Sequence, residues 1–323
     1  MIQVILCARN GEKYIEEQIL SILHQTEKEI RLLISDDAST DSTAEIAEKY
    51  VNLFPGKVTL VRQSSPSGSA CAHFLKALSL YGKDRDYVMF ADQDDVWDGD
   101  KIEKTLNRMR EAEKKYAPGT PLLVHADSRV TDADLCVICS SYVRYQKMSP
   151  QRNKLNELLV QNNVTGAALM INRPLITLVT GRNMPSYAVM HDHYLALTAA
   201  AFGKIIFVNE ALYAYRQHAR NDLGAAKGNP VREVLDRLGL FRKDKKNRQE
   251  ADRHSRETYA ALFRQAEEFY RLYANELSRK QKSLLRAFIR MQNENRITKI
   301  RTILCCGFTF NRLYRTVGEC LFL

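Results

Sequence analysis

Asp92, Asp94 and Asp95 set three carboxylates within four positions, directly after the apolar run Tyr87-Val88-Met89-Phe90. Like charges crowded this closely repel one another unless something cationic joins them. Asp92 and Asp94, two apart at the end of a strand, can direct oxygens at one hard cation. Mg²⁺ and Mn²⁺ take such oxygen-rich, partly hydrated coordination, usually shared with the phosphates of a substrate. A solvated acidic turn, capping a helix that starts near Asp98 or Asp100, is the competing reading.

Other chemistry-bearing residues offer less by themselves. His191 and His193 flank Asp192, but three adjacent residues on one turn rarely all face one ion. No Cys or His pair at zinc spacing joins them. Cys136 and Cys139 form a CxxC that lacks both a redox βαβ setting and a second pair.

The elements that must position these residues follow from apolar periodicity. Ile2–Ala8 is a β-branched, apolar run of strand length, broken by Arg9-Asn10-Gly11. Residues 14–23 then carry Ile15, Ile19, Ile22 and Leu23 at helical spacing. A second strand, 30–35, runs into Asp36-Asp37-Ala38-Ser39-Thr40-Asp41, where Ser39 or Asp41 can cap a helix continuing to Tyr50. A third strand, 58–62, leads to a polar loop (Ser65, Ser67, Gly68, Ser69) and a helix from about residue 72 to 80. A fourth strand delivers Asp92. Strand–helix alternation at this spacing predicts an α/β fold with a mostly parallel sheet and helices on both faces. Ligands of such sheets bind outside the carboxyl ends of the strands. Every polar cluster named here falls at such an end: 7–11, 36–41, 62–68 and 92–95.

The order CARNG, SDDASTDST, FADQDDVW, MHDHYLAL, YRQH resembles glycosyltransferase family 2, whose members have the GT-A nucleotide-sugar-binding fold and invert the anomeric centre. The segments 163–172 (NVTGAALMIN), 190–197 (MHDHYLAL) and 215–218 (YRQH) are similar to bacterial rhamnosyltransferases of cell-wall and capsular polysaccharide synthesis. The resemblance covers roughly residues 1–228. It implies a nucleoside-diphosphate-sugar site formed by Cys7, Ala8, Arg9, Asn10, Gly68, Asp92 and Gln93, with Asp37 accepting the pyrimidine imide N–H. It implies Mn²⁺ or Mg²⁺ on Asp92 and Asp94, bridging the donor phosphates. Asp192 matches the catalytic base that takes the acceptor hydroxyl's proton. An N-cap is the plainer role for Asp192, although it is the sole carboxylate between Glu157 and Glu210. His218 is implied as a metal ligand or phosphate partner, and Arg216 or Arg220 as a neutralising charge. An exposed loop histidine is the equal alternative for His218, and turn or cap duty for Asp37 and Asp41.

The chain departs from the family pattern at three positions. Arg9 stands where Tyr is usual, His193 stands where Trp usually follows the base and would face the acceptor, and His73 stands where Asn is frequent. The implied donor is dTDP-L-rhamnose; a UDP-hexose (Glc, Gal or GlcNAc) presents the same imide to Asp37. A protein that only binds nucleotide sugars is the non-enzymatic alternative. The implied acceptor is a saccharide, free or lipid-linked.

Composition separates two regions. The chain has 323 residues, 45% of them hydrophobic, and a net charge of +10. Residues 231–323 carry 21 Lys and Arg against 11 Asp and Glu, so the whole excess lies there. A Gly/Asn/Pro stretch at 224–230 suggests a boundary, giving a catalytic domain over 1–228 and a basic, amphipathic helical region over 229–323. Tyr259, Leu262, Phe263, Ala266, Phe269, Tyr270 and Tyr273 recur at helical spacing, and a second pattern runs from Ser278 to Leu304. Such a region can lie on an anionic membrane surface, pack against a second copy, or form an ordinary solvated helical pair. A neutral catalytic half and the absence of a recognition motif argue against nucleic acid. Seven scattered cysteines and no signal peptide imply a reducing cytoplasm, with attachment at the inner face of the membrane.

Overall fold

All seven residues of β1 (Ile2–Ala8) are buried, as a strand covered on both faces requires. The computed structural model describes residues 1–218, 245–312, 315–317 and 320, with only the backbone of 245–252, 254 and 255. In it β1 lies between β2 (Ile30–Asp36) and β4 (Tyr87–Ala91), and β3 (Val58–Arg62) lies outside β2, all parallel. The connecting helices are α1 (Ile15–Leu23), α2 (Thr43–Leu53) and α3 (Ala70–Tyr81). Helix α1 turns Ile15, Ile19, Ile22 and Leu23 inward, the spacing that its sequence shows. Helix α3 begins two residues before the apolar pattern does, because the Ser69 side chain accepts from the Ala72 amide. The residue before α2 is Ser42, whose side chain makes no capping bond; Asp41 Oδ1 takes the Thr43 amide at 3.1 Å instead.

The sheet has nine strands and continues past β4 as a mixed array, in the order β3-β2-β1-β4-β8-β6-β9-β5. Here β5 is Val96–Trp97, β6 Leu122–Thr131, β8 Leu169–Asn172 and β9 Lys204–Arg216, while β7 (Val137–Cys139) pairs with β6 off this path. Strand β8 is antiparallel to β4 and β6, and β9 runs parallel to β6. Strand β9 does not stop where its apolar run does. Val208 pairs with Ala126 and Ala211 with Asp127, so Asn209 and Glu210 form an irregularity that interrupts the apolar pattern but not the strand. The two-residue β5 pairs Val96 with Ala214 and Trp97 with Tyr213. The segment holding Asp94 and Asp95 is thereby laid against the end of β9.

These elements belong to one compact unit, residues 1–150, 164–184 and 190–218 of those described. Residues 151–163, 185–189 and the described residues beyond 244 form a second. In it the helices Lys245–Tyr273, Arg279–Arg290 and Arg296–Cys306 follow one another. A Ser278/Gln281 capping box opens the second helix, and the Asn295 side chain caps the third. Tyr259, Leu262, Phe263, Ala266, Phe269 and Tyr273 are buried inside this unit. Phe263 meets Phe288, and Phe288 meets Phe308, each pair at 5.0 Å between ring centroids. The aromatic stripe that could have made a self-association seam is thus spent on intramolecular packing. Arg220 and the boundary read at 224–230 lie outside the described residues. No described helix is long and apolar enough to cross a membrane.

Candidate active site

The loops leaving β1, β2 and β4 are bonded to one another. The Gln93 side chain accepts from the Arg9 amide at 2.8 Å and donates to the Arg9 carbonyl at 3.1 Å, gripping one residue's backbone at both ends. Gly11 is what lets it approach, since a Cβ there would stand 2.2 Å from Gln93 Oε1. The Asn10 side chain accepts from the Thr40 amide at 2.9 Å, and the Asn10 amide donates to Ser39 Oγ at 3.0 Å. The Gly11 amide donates to Thr43 Oγ1 at 2.8 Å, and the Glu12 amide to Asp41. Asp41 is accordingly a turn residue. The Arg9 side chain is exposed at the rim. Ala38, held at φ 56°, occupies a left-handed conformation that costs an L-residue about 1–2 kcal/mol. Strain of this kind collects at functional sites.

Asp37 is buried at the end of β2, its amide bonded to the Ala8 carbonyl. Its Oδ1 accepts from both the amide and the hydroxyl of Ser67, at 2.8 and 2.7 Å. Gly68 follows at φ 87°, the left-handed turn that glycine supplies without strain. The Ser35 hydroxyl lies 2.8 Å from His73 Nε2, tying β2 to α3. Burial lowers the His73 pKa, with the charges of Asp37 and Asp36 working against that shift. Cys7 lies beneath, its thiol pushed up by burial and then by Asp92 and Asp37. Cys7, Ala8, Asp37 and Asp92 therefore share one neighbourhood.

The acid cluster meets the end of β9. His218 Nε2 is 2.8 Å from Asp94 Oδ2, and its ring stacks on Tyr14 at 4.9 Å and 24°. The Arg216 guanidinium sits 4.5 Å from the centroid of the same Tyr14 ring. Arg216 is 3% exposed. Its Nε donates to the Asp94 carbonyl at 2.8 Å, its Nη1 to the Ala133 carbonyl, and its Nη2 to Glu17. The guanidinium thus holds the turn that carries Asp94. Asp95 is fully buried, with Oδ1 accepting from the Arg216 amide at 3.3 Å and Oδ2 lacking a hydrogen-bond partner. Burial and the charges of Asp94 and Asp92 push its carboxyl well above the usual range. Lys101 is equally buried, Nζ donating to the Ala167 carbonyl and lying 3.5 Å from the Trp97 ring centroid and 4.2 Å from that of Tyr213. Burial pulls its pKa down against the attraction of Asp95 and Asp92.

Asp192 lies at the second position of the helix His191–Phe202, behind the N-cap Met190. It is not itself the cap, and its Oδ1 accepts from the His193 amide. The charge of Asp192 reaches Cys71 and Tyr142, helping burial to raise each pKa to about 12. The Tyr142 ring packs edge-on against Tyr215 at 5.2 Å, and Tyr215 in turn feels Asp95 and Asp92. The charges of Asp192 and of the acid cluster thus both act on the Tyr142–Tyr215 pair. Asp127 anchors that pair by accepting from Ser141 and from the Val143 amide at the start of the short helix Tyr142–Tyr145. His191 is buried against Phe74 at 4.1 Å with neither ring nitrogen hydrogen-bonded, so it is packing material. His193, read from the sequence as facing an acceptor, is 3% exposed.

The sequence-derived candidates at the carboxyl ends of β1, β2 and β4 thus adjoin; the fold gives Ser67 and Asp95 their partners and adds Tyr14, Glu17, Lys101 and Tyr142. An imidazole against a carboxylate, beside a buried carboxylate with an orphaned oxygen, is a donor set that suits a divalent cation. Among the described residues no three His, Cys, Asp or Glu side chains close into a protein-only cage.

A parallel βα array whose polar loops converge on an acidic strand end, continued by a mixed sheet, is the GT-A architecture of nucleotide-sugar glycosyltransferases. The chain belongs to glycosyl transferase family 2, whose model matches residues 3–176. It is 25% identical over 240 residues to the dTDP-rhamnosyl transferase RfbG of Shigella flexneri, covering 72% of this chain and 78% of that protein. The fold is similar to that of S. aureus TarS 1–349 in complex with UDP-GlcNAc, with a TM-score of 0.54, 15% identity and coverage of 99% of this chain and 90% of that one. The mannosyltransferase PcManGT of Pyrobaculum calidifontis, in complex with GDP-Man and Mn²⁺, is similar at a TM-score of 0.53 and 15% identity, with coverage of 99% and 79%.

Proposed function

We propose that the chain is a metal-dependent, inverting rhamnosyltransferase of cell-surface polysaccharide synthesis. It moves L-rhamnose from dTDP-L-rhamnose to a saccharide or lipid-linked saccharide acceptor. The observation that carries this reading is the Asp94–His218 contact, which sets an acid-cluster pair beside the loops of Asp37 and Gln93. Asp37 accepts the imide N–H of the base, with Ser67 fixing the orientation of its carboxylate. Cys7, Ala8, Arg9, Asn10, Gly68 and Gln93 shape the nucleotide pocket. Arg216 acts on the donor only by holding the Asp94 turn.

Asp92, Asp94 and His218 would hold Mn²⁺ or Mg²⁺, which when bound neutralises charge on the departing nucleoside diphosphate. Asp192 takes the acceptor hydroxyl's proton as that oxygen attacks the anomeric carbon from the face opposite the leaving group. A single displacement needs one base and no covalent enzyme intermediate.

The similarity to RfbG favours the rhamnosyl donor. A UDP-hexose is the second reading, favoured by the likeness to a structure holding UDP-GlcNAc. The charge excess of the C-terminal region supports a peripheral position on the cytoplasmic face of the membrane, where a lipid-linked acceptor would be met. The test is donor hydrolysis by the full chain with dTDP-L-rhamnose, UDP-Glc, UDP-Gal and UDP-GlcNAc, with and without Mn²⁺. Release of dTDP from the first alone supports the reading, and release of UDP alone moves it to the second. Inertness toward all four, with nucleotide binding intact, would leave a binding protein.

A further inference from the structure

Between residues 277 and 318 the sequence has ten Lys and Arg and a single acid, Glu294. The helix Arg279–Arg290 buries Leu285 and Phe288 and gathers Arg279, Lys282, Arg286 and Arg290 along a groove of about 390 Å³. Arg279, Arg286 and Arg290 are exposed and Lys282 is half-buried. None of the four pairs with a carboxylate of another described residue. Four cations lacking counter-charges on one face repel one another, and the arrangement is relieved by an anionic partner. The next helix, Arg296–Cys306, leaves Ile297 81% and Leu304 65% exposed. With Arg301 these positions fall at i, i+4 and i+7, one face of a helix that shows aliphatic groups around a cation.

We propose that these two faces bind the surface of an anionic bilayer. The proposal rests on the peripheral-membrane reading and names the surface that carries it. Phosphate headgroups match the groove, and Ile297 and Leu304 match the acyl boundary beneath them. A nucleic acid fits less well, because base stacking needs exposed aromatic rings and Phe288 and Phe308 are buried.

The test is co-sedimentation of the full chain with phosphatidylcholine vesicles, alone or with one third phosphatidylglycerol, at low salt. Binding to the anionic vesicles only is expected. At about fivefold per cation near the surface, R279Q/K282Q/R286Q/R290Q should weaken it by about 10² to 10³-fold. A charge-matched control, K57Q/R108Q/K114Q/K115Q, should lose less than tenfold. Because Arg286 lies 5.3 Å over the Tyr270 ring, R279Q/K282Q/R290Q gives a second variant if the quadruple one fails to melt cooperatively. I297Q/L304Q should weaken binding at high salt more than at low salt. Undiminished binding by either groove variant, an equal loss in the control, or displacement by inorganic phosphate at equal phosphate concentration would overturn the proposal. So would tighter binding to single-stranded RNA than to vesicles. Donor hydrolysis, measured on the same samples, reports separately on the enzymatic reading.

Discussion

His218 Nε2 and Asp94 Oδ2 lie 2.8 Å apart although 124 positions separate them in the chain. The two-residue strand β5 makes this possible, because pairing Val96 with Ala214 holds the loop before it against the last residues of β9. Arg216 fastens the contact with a bond to the Asp94 carbonyl, and the Tyr14 ring packs against both Arg216 and His218. The pairing of β5 with β9 that closes this edge of the sheet thus also composes the proposed metal pair.

Asp94→Asn should abolish turnover and reduce Mn²⁺ affinity, read by calorimetry in the presence of nucleoside diphosphate. With one of three crowded charges gone, the metal-free protein should melt at a higher temperature than the parent. Lost activity together with a raised Tm is the expected pair. Full activity in excess EDTA would end the metal-dependent reading.

Gln93 and Gly11 form one device and should behave as one. Gly11→Ala drives a methyl into Gln93 Oε1 and dislodges the side chain that holds the Arg9 backbone. Gln93→Ala removes the same two bonds directly, at about 1 kcal/mol each. Either change should weaken donor binding, and the double variant should be little worse than the worse single one. Simple additivity in the double-mutant cycle would show that the two act separately.

Much of this site was legible because the first 97 residues obey one grammar, strand, polar loop, helix, with each loop at a carboxyl end. Asp37, Gln93, Asp92 and Asp94 stand where that grammar puts them. The second half was harder to read. Strand β6 was missed because His125, Asp127 and Ser128 interrupt its apolar run, although all three are buried. In strand β9 the irregularity at Asn209 and Glu210 breaks the apolar pattern that would mark one continuous strand. Tyr14 and Lys101 give no signal in a linear reading, since a tyrosine before a helix and a lysine inside one are ordinary. Only the fold brings one against Arg216 and His218 and the other over Trp97 and Tyr213. The aromatic stripe of 259–273 was visible, but periodicity does not say whether the covering surface belongs to the same chain.

Lys101→Met tests whether the buried cation is structural. It removes the charge that offsets Asp95 and Asp92, along with a bond to the Ala167 carbonyl. Breaking a buried charge arrangement from one side costs about 3–5 kcal/mol. Urea denaturation should register that loss at neutral pH, and the loss should shrink in acid, where the carboxyls take up protons. A variant as stable as the parent would mean that Lys101 contributes no net stability.

The buried histidines set an acid limit. Burial lowers His125 and His191 to about 3 from an ordinary value near 6.5. The folded chain keeps both neutral, whereas the unfolded chain protonates them below about pH 6.5. Their contribution is therefore complete above pH 6.5 and is lost as pH falls toward 3, at up to about 1.4 kcal/mol per pH unit for each. His125→Phe, which preserves a ring against Phe207, should flatten the stability–pH slope between pH 6 and 4 by one proton. An unchanged slope would show that His125 is hydrated in the folded state.

Asp192→Asn bears on the base. The substitution keeps the shape of the side chain and an oxygen for the His193 amide, so the helix His191–Phe202 should still begin at the same place. It removes the capacity to accept a proton. Turnover should fall by roughly 10² to 10⁴-fold while donor affinity holds, because general-base assistance acts on the acceptor's oxygen and not on the nucleotide. The charge of Asp192 also raises the phenol of Tyr142. In the variant that phenol should titrate at lower pH, giving a spectroscopic readout independent of turnover. If donor binding instead falls in step with turnover while the Tyr142 titration moves as expected, then Asp192 organises the nucleotide site electrostatically and the base must be sought elsewhere. If turnover alone falls and added small carboxylates such as formate restore part of it, the missing group is a proton acceptor at that position.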